Sequence, residues 1–311
     1  MKRFGVVLCV LACLLVLGTA VGIRSRAEAQ VEPQTEFLEH ARSFKSGNVW
    51  LDLGFFANTE DVGNWEEESL KQVELRIGST VIPMQVESLE MDGVLRYGKY
   101  YRGTLYVKGN IANEVSGEAY LRVYFEGKEE CVEYPIGQIA VMNAVEAGAI
   151  THAVLNGIVA EDQSGTIRNY GIMAHVKVAE KIVITGLDFG FDNLGLCGKS
   201  SMVYTPEQYK AGIDSAMEND RLNVYVRDAY QVHRVDRIND DAEICLEEGE
   251  YYIYFPLAVS EEQVPELDQG ALKITYVSDD GEAGVFVTNS WPYFTAPNRA
   301  EAEIDQMFRG E

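Results

Sequence analysis

The sequence predicts a mainly β protein: two antiparallel β-sandwich domains behind an N-terminal export helix, with one short helix inserted in the second domain. Three observations predict it. Apolar and polar residues alternate with period two in segment after segment, as a sheet with one buried and one wet face requires. Turn signals such as Met91-Asp92-Gly93, Glu126-Gly127-Lys128, Ser164-Gly165 and Asp279-Asp280-Gly281 punctuate those segments. A long uncharged stretch, Phe4 to Ile23, opens the chain behind Lys2 and Arg3.

Those twenty uncharged residues would span about 30 Å as a helix, the thickness of a bilayer core. Two readings of the segment compete. It is a signal peptide cut after Ala27-Glu28-Ala29, or an uncleaved anchor flanked by Arg24 and Arg26. Both place residues 30–311 outside the cytoplasm, because the basic start favours retention inside. The protein is therefore expected to be secreted, or held on the outer face of the cell membrane by its N-terminal helix. Cys9 and Cys13 read as hydrophobes of that helix, since apolar Leu14 to Leu17 follow where a lipidated chain turns polar.

The clearest strands are Gln72–Ile77, Tyr120–Glu126 and Leu222–Arg227. Further strands are predicted at Val49–Phe56, Val81–Met91, Leu105–Val107, Gln138–Met142, Gly171–Val178, Ile182–Leu187, Tyr251–Leu257, Leu272–Val277 and Val285–Asn289. Many short strands at this spacing point to antiparallel sandwiches, and the pattern resembles that of immunoglobulin-like modules. The inserted helix covers about 206–218: Thr205 is its N-cap, Pro206 its first residue, and Thr205 with Gln208 makes a capping box. A second helix is predicted over Asn298–Phe308, and a short acidic one around Trp65–Leu70. Small residues from Asn143 to Ala149 mark a boundary between a domain at 30–146 and one at 147–311.

Beyond Ala29 the chain carries 22 basic and 48 acidic residues, a net charge of −26. Such a field repels nucleic acid and anionic lipid, so neither is expected as a partner, and the membrane is met only through the N-terminal helix. With 47% hydrophobic and 10% aromatic residues, the chain still has enough apolar surface to build cores. Three cysteines remain after export, an odd number that closes no disulfide framework; Cys197 and Cys245 are left open as a pair.

The chain contains neither HExxH nor GxSxG, nor any phosphate-cradling glycine loop, so no catalytic residue and no cofactor is assigned. His175, among Met173, Val176 and Val178, reads as a structural histidine. Oxygen-rich loops occur at Asp188–Asn193, Asp236–Glu243 and Asp279–Glu282, but none has calcium-ligand spacing, and no metal site is assigned. One segment runs against the overall charge. From Gly93 to Asn113 there is no acidic residue, while Arg96, Lys99, Arg102 and Lys108 alternate with Tyr97, Tyr100, Tyr101 and Tyr106. Tyrosine combines a flat apolar face with a hydroxyl, so Arg96, Tyr97, Tyr100, Tyr101 and Arg102 are the candidate ligand-binding residues. The expected function is a non-catalytic extracytoplasmic binding or surface-interaction module, with a cell-surface protein or polysaccharide as partner. The alternative is a secreted hydrolase acting on cell-wall or polysaccharide material.

Overall fold

A computed structural model describes residues 35–144, 148–161, 167–191, 202–211, 244–256, 267–289, 291–292 and 301–309. The expected export helix, Cys197, the strand at Leu222–Arg227 and the loop Asp236–Glu243 lie outside these residues. The protein is mainly β, as the alternation requires. Among the described residues no helix is long and apolar enough to cross a membrane.

Eight strands build the first half: β1 (Thr35–Phe37), β2 (His40–Lys45), β3 (Gly47–Asn58), β4 (Leu70–Ile77), β5 (Thr80–Met91), β6 (Tyr100–Ile111), β7 (Val115–Phe125) and β8 (Val132–Met142). One layer runs β1-β3-β6-β5 and the other β5-β4-β7-β8-β2. Strand β5 serves both, pairing with β4 through Thr80–Met84 and with β6 through Gln85–Met91. This is the strand arrangement of an immunoglobulin-type sandwich. Period two explains which faces meet. On β3, Val49, Leu51, Leu53 and Phe55 are buried, while Trp50 and Asp52 between them face out. Val73, Leu75 and Ile77 on β4 and Leu121, Val123 and Phe125 on β7 complete the core.

Trp65 plugs that core. The expected acidic helix around it is instead two 3₁₀ turns, Val62–Asn64 and Glu67–Ser69, between which the indole turns inward. Its ring lies 4.5 Å from Phe55, 5.5 Å from Phe37 and Phe125, and 5.7 Å from Tyr134. The indole N–H donates to Thr35 Oγ1 at 2.9 Å, and the Thr35 hydroxyl donates to Asp61, so a buried polar chain pins β1 to the core. A pull inward toward Phe37, Phe55 and Phe125 outweighs the helix-forming glutamates on the surface.

Among the described residues, the second half has two four-stranded sheets besides the strands it adds to the first half. The first orders β12 (Met202–Tyr204), β14 (Gly249–Pro256), β10 (Ile167–Val178) and β9 (Ile150–Glu161). The second orders β13 (Ile244–Leu246), β11 (Ile182–Asp188), β16 (Lys273–Ser278) and β17 (Ala283–Val287). Ile172, Ala174, Val176 and Val178 from one sheet and Ile182, Ile184, Ile274 and Tyr276 from the other share one core. Helix α1, residues 206–211, starts with the expected reciprocal cap: Thr205 N–H donates to Gln208 Oε1 at 2.8 Å, and Gln208 N–H to Thr205 Oγ1 at 3.4 Å. Tyr209 on α1 stacks on Tyr252 at 3.9 Å, and Tyr252 on His175 at 4.5 Å, which gives that histidine a packing role.

The two halves are not separate along their whole length. Strand β15 (Leu267–Gly270) pairs with β2, and β18 (Trp291–Pro292) pairs with β15, making one ten-stranded sheet from both halves. Two of its pairings are parallel, β2 with β8 and β15 with β2, where the pattern suggested antiparallel pairs throughout. Parallel pairing arises because the chain reaches β2 by switching layers and not by a hairpin. Close approach of β2 needs Gly137 on β8, at φ +94°, where a Cβ would fall 2.3 Å from the His40 carbonyl oxygen. Finally, helix α2 (Glu301–Arg309) returns to the first half with Ile304 and Phe308 buried, and it overlaps the predicted Asn298–Phe308 from Glu301 to Phe308 and adds Arg309.

Candidate functional site

The basic, tyrosine-rich segment forms the hairpin between β5 and β6. Lys99 N–H donates to the Arg96 carbonyl at 2.9 Å, and the two residues between them, Tyr97 and Gly98, have φ of 52° and 70°. Positive φ at both central positions marks a type I′ turn, and because Arg96 bridges Tyr100 the loop encloses Tyr97, Gly98 and Lys99. Tyrosine seldom occupies such a position, and here it stands at the tip, 50% exposed. Arg96 pairs with Asp92 at 3.0 Å.

The structure does not gather the five sequence-predicted residues on one surface. In a strand, neighbours point to opposite faces. Tyr100 and Arg102 lie on the outer face, and Tyr101 between them lies on the other side opposite buried Ala57. Tyr100 is 9% exposed because α2 covers it. Its ring stacks on Phe308 at 4.6 Å with an interplanar angle of 19°, and its hydroxyl donates to Asp305 at 2.6 Å. Lys99 reaches Glu301 and Asp305, each at 3.1 Å. The hydrogen bond from Tyr100 and the ammonium of Lys99 hold the Asp305 carboxyl below its ordinary pKa. Part of the basic patch is thus spent on the chain's own acidic helix. Arg96 and Tyr97 stay exposed, and Tyr101 and Arg102 are half-buried.

Further along the same outer face the aromatic residue is open. Trp50 on β3 pairs with Lys108 on β6, and Lys108 with Gln85 on β5. Trp50 is 54% exposed. The Lys108 ammonium sits 5.2 Å from the Trp50 ring and 2.5 Å from Glu87. Trp50 and Asn48 border two depressions. One, of about 520 Å³, is lined also by Pro83, Met84, Gln85, Lys108 and Gly109. The other, of about 430 Å³, is lined also by Phe44, Lys45, Ser46, Gln269 and Asn289. Gln269 comes from β15, so the second depression lies where the two halves meet, a common place for ligand pockets. Its side-chain Oε1 is buried and has no hydrogen-bond partner among the described residues. Leaving such an acceptor unpaired costs roughly 1–3 kcal/mol.

The floor of that junction is a buried ion pair. Arg42 on β2 is fully buried and donates through Nε to Asp268 Oδ2 at 2.8 Å and through Nη1 to the Ile136 carbonyl at 2.8 Å. Burial works against the Asp268 carboxylate, yet the His40 hydrogen bond and the Arg42 charge together outweigh it and hold the pKa low. Burial also pulls the Arg42 guanidinium below its ordinary value, with Asp268 opposing. One residue along, Ser43 and Ala271 exchange hydrogen bonds at 2.9–3.0 Å. Neighbouring Gln269 is therefore held on a rigid strand.

Among the described residues, Asp188 and Asp280 of the acidic loops are satisfied within their own turns. Asp188 accepts from the Gly190 N–H at 2.6 Å, while Phe189 and Phe191 are buried in the second core. Asp280 accepts from Ser278 and from the Glu282 N–H, and these bonds lower its pKa. Among the described residues Cys131 and Cys245 form no disulfide. Sequence reasoning passed over Trp50, although a tryptophan at a wet position of a predicted strand was a readable signal. Nothing local pointed to Gln269, Arg42 or Asp268.

No protein-family model matches the chain, and none of the curated proteins compared matches it. Among solved structures it is similar to the C-terminal domain of the Streptococcus agalactiae AgI/II polypeptide BspA, at 9% identity and a TM-score of 0.19, covering 84% of this chain and 99% of that one. It is also similar to a serine-rich repeat protein, Srr2, of the same species (10% identity, TM-score 0.23, 84% and 99% covered). A chicken TCR is comparable, at 7% identity and a TM-score of 0.21, with 84% and 100% covered. At these scores the likenesses transfer no function to this chain.

Proposed function

We propose that the protein is a non-catalytic binding module working outside the cytoplasm, and that it meets a cell-surface partner through the outer face of the β1-β3-β6-β5 layer. The observation that carries this reading is Trp50, held 54% exposed between two depressions on a rigid sheet. A large exposed aromatic among polar groups is the composition of an interface centre. The hairpin residues Arg102, Arg96 and Tyr97 add a second contact region that starts about 20 Å away along the strands. Tyr100 takes no part in this surface, because α2 covers it. We read the two halves, 30–146 and 147–311, as sandwich units joined along one sheet.

A hydrolase would need carboxylates converging on its ligand. The described residues lining the two depressions are amides, lysines, a serine, a glycine and apolar groups, with no Asp or Glu among them. That lining favours binding over hydrolysis. The test is surface plasmon resonance of the purified protein over separated protein and polysaccharide fractions of the cell envelope. Saturable binding to one fraction, weakened roughly tenfold or more by Trp50→Ala, supports the reading. Binding to neither fraction, or unchanged binding by both Trp50→Ala and Tyr97→Ala, overturns it.

A further inference from the structure

We infer that Trp50 and Gln269 form a saccharide site, in which an oligosaccharide of neutral pyranose units lies across the indole with one unit in each depression. This deepens the proposed function and rests on it. Three observations point to a sugar. The first is the open face of Trp50, since the C–H face of a pyranose ring packs flat on an aromatic ring while its hydroxyls point sideways. The second is the ring of side-chain amides around it. Asn48, Gln269 and Asn289 line one depression and Asn48 and Gln85 the other. Each amide offers both a donor and an acceptor, which suits hydroxyl groups that do the same.

The third observation is independent of exposure. Gln269 is 91% buried, it lines the depression, and its Oε1 lacks a donor among the described residues. A buried acceptor without a partner at the wall of a depression is completed by a ligand that brings a hydroxyl hydrogen. A peptide would bring few donors of that kind and would need its own backbone paired along a strand edge. Among the described residues that edge is open beside Trp50, since β1 pairs only with Phe55–Ala57, so it is the amide-rich lining that favours a sugar over a peptide. An anionic glycan would be opposed at long range by the net charge of −26 beyond Ala29, and Lys108 already answers Glu87. A neutral chain meets neither obstacle. Because Trp50 forms the ridge between both depressions, affinity should grow from one sugar unit to two or more.

The experiment titrates the full-length protein with N-acetylglucosamine hexamer, cellohexaose and mannohexaose, and with the matching monosaccharides, by isothermal calorimetry and by amide NMR shifts. The expected result is saturable binding of at least one hexamer, stronger than its monosaccharide. Trp50→Ala should weaken it by about tenfold or more, and Gln269→Leu, which removes the acceptor without opening a cavity, by several-fold. Should Gln269→Leu not fold, the exposed Asn289→Ala takes its place, with melting temperature as the control. No binding of any hexamer at millimolar concentration overturns the inference, as does binding that Trp50→Ala leaves intact. If no sugar binds while Trp50-dependent capture of an envelope protein fraction persists, the saccharide inference falls and the binding-face reading stands. If both are lost, both fall.

Discussion

At one end of the β3–β6 face Tyr100 lies under the chain's own C-terminal helix, stacked on Phe308, while eight residues and about 26 Å along the strands Trp50 stands half in solvent. Both are outward-facing aromatics on neighbouring strands of one layer. They differ in what the rest of the chain brings to them. The Tyr100 end receives Phe308, Asp305 and Glu301, which match its ring, its hydroxyl and the adjacent Lys99. The Trp50 end receives Gln269 and Asn289, which frame it without covering it. Complementarity within the chain closes the first surface, and its lack leaves the second available. An exposed residue type therefore says little about binding until the long-range partner is known.

The sharpest way to break this contrast is at the junction that frames the open end. Asp268→Ala leaves the Arg42 guanidinium buried without its carboxylate, and should cost about 3–5 kcal/mol in denaturant unfolding. If the halves were independent, the loss would be far smaller. Replacing both partners by apolar groups, Arg42→Met with Asp268→Leu, should recover most of it. At the closed end, Phe308→Ala removes a buried ring and should free α2 at a cost of about 3 kcal/mol. Hydrogen exchange of residues 301–309 should then speed up ahead of the rest.

A smaller, pH-dependent effect belongs to β1, whose following residue Leu38 packs with α2. Burial, aided by Glu39, raises the Glu36 carboxyl to about 7. A raised carboxyl is protonated in the folded state before the unfolded one, so its contribution is favourable below the ordinary value of 4.5 and is lost as pH rises through about 7. Glu36→Gln should therefore raise the melting temperature at pH 8 relative to the unaltered protein, and change it little at pH 4. Equal shifts at both values would show that Glu36 keeps an ordinary pKa.

Period two made most strands legible, because the residues that set them are local: Val49, Leu51, Leu53 and Phe55, or Val73, Leu75 and Ile77. The Thr205 cap was legible for the same reason. What stayed hidden depends on distant pairs. Strand β2 is too short and mixed to read alone, and it exists because Gly137 lets it lie beside β8 and because Asp268 neutralises Arg42. The candidate binding residues were chosen by composition, and composition cannot see that Tyr100, Tyr101 and Arg102 alternate between faces or that α2 claims Tyr100. Trp50 was visible in the sequence, but its meaning depends on Gln269, which joins it only through the fold.

The central claim is that the open end binds and the closed end holds the fold together. A side-by-side comparison of Trp50→Ala and Tyr100→Ala, each measured for melting temperature and for affinity to the same envelope fraction, tests it most directly. The account predicts a double dissociation. Trp50→Ala should lose affinity roughly tenfold or more, with stability within about 0.5 kcal/mol of the unaltered protein. Tyr100→Ala should lower the melting temperature clearly while the folded protein binds as before. The reverse pattern, a stable Tyr100→Ala that no longer binds beside a Trp50→Ala that does, would contradict the account and return the site to the tyrosine hairpin.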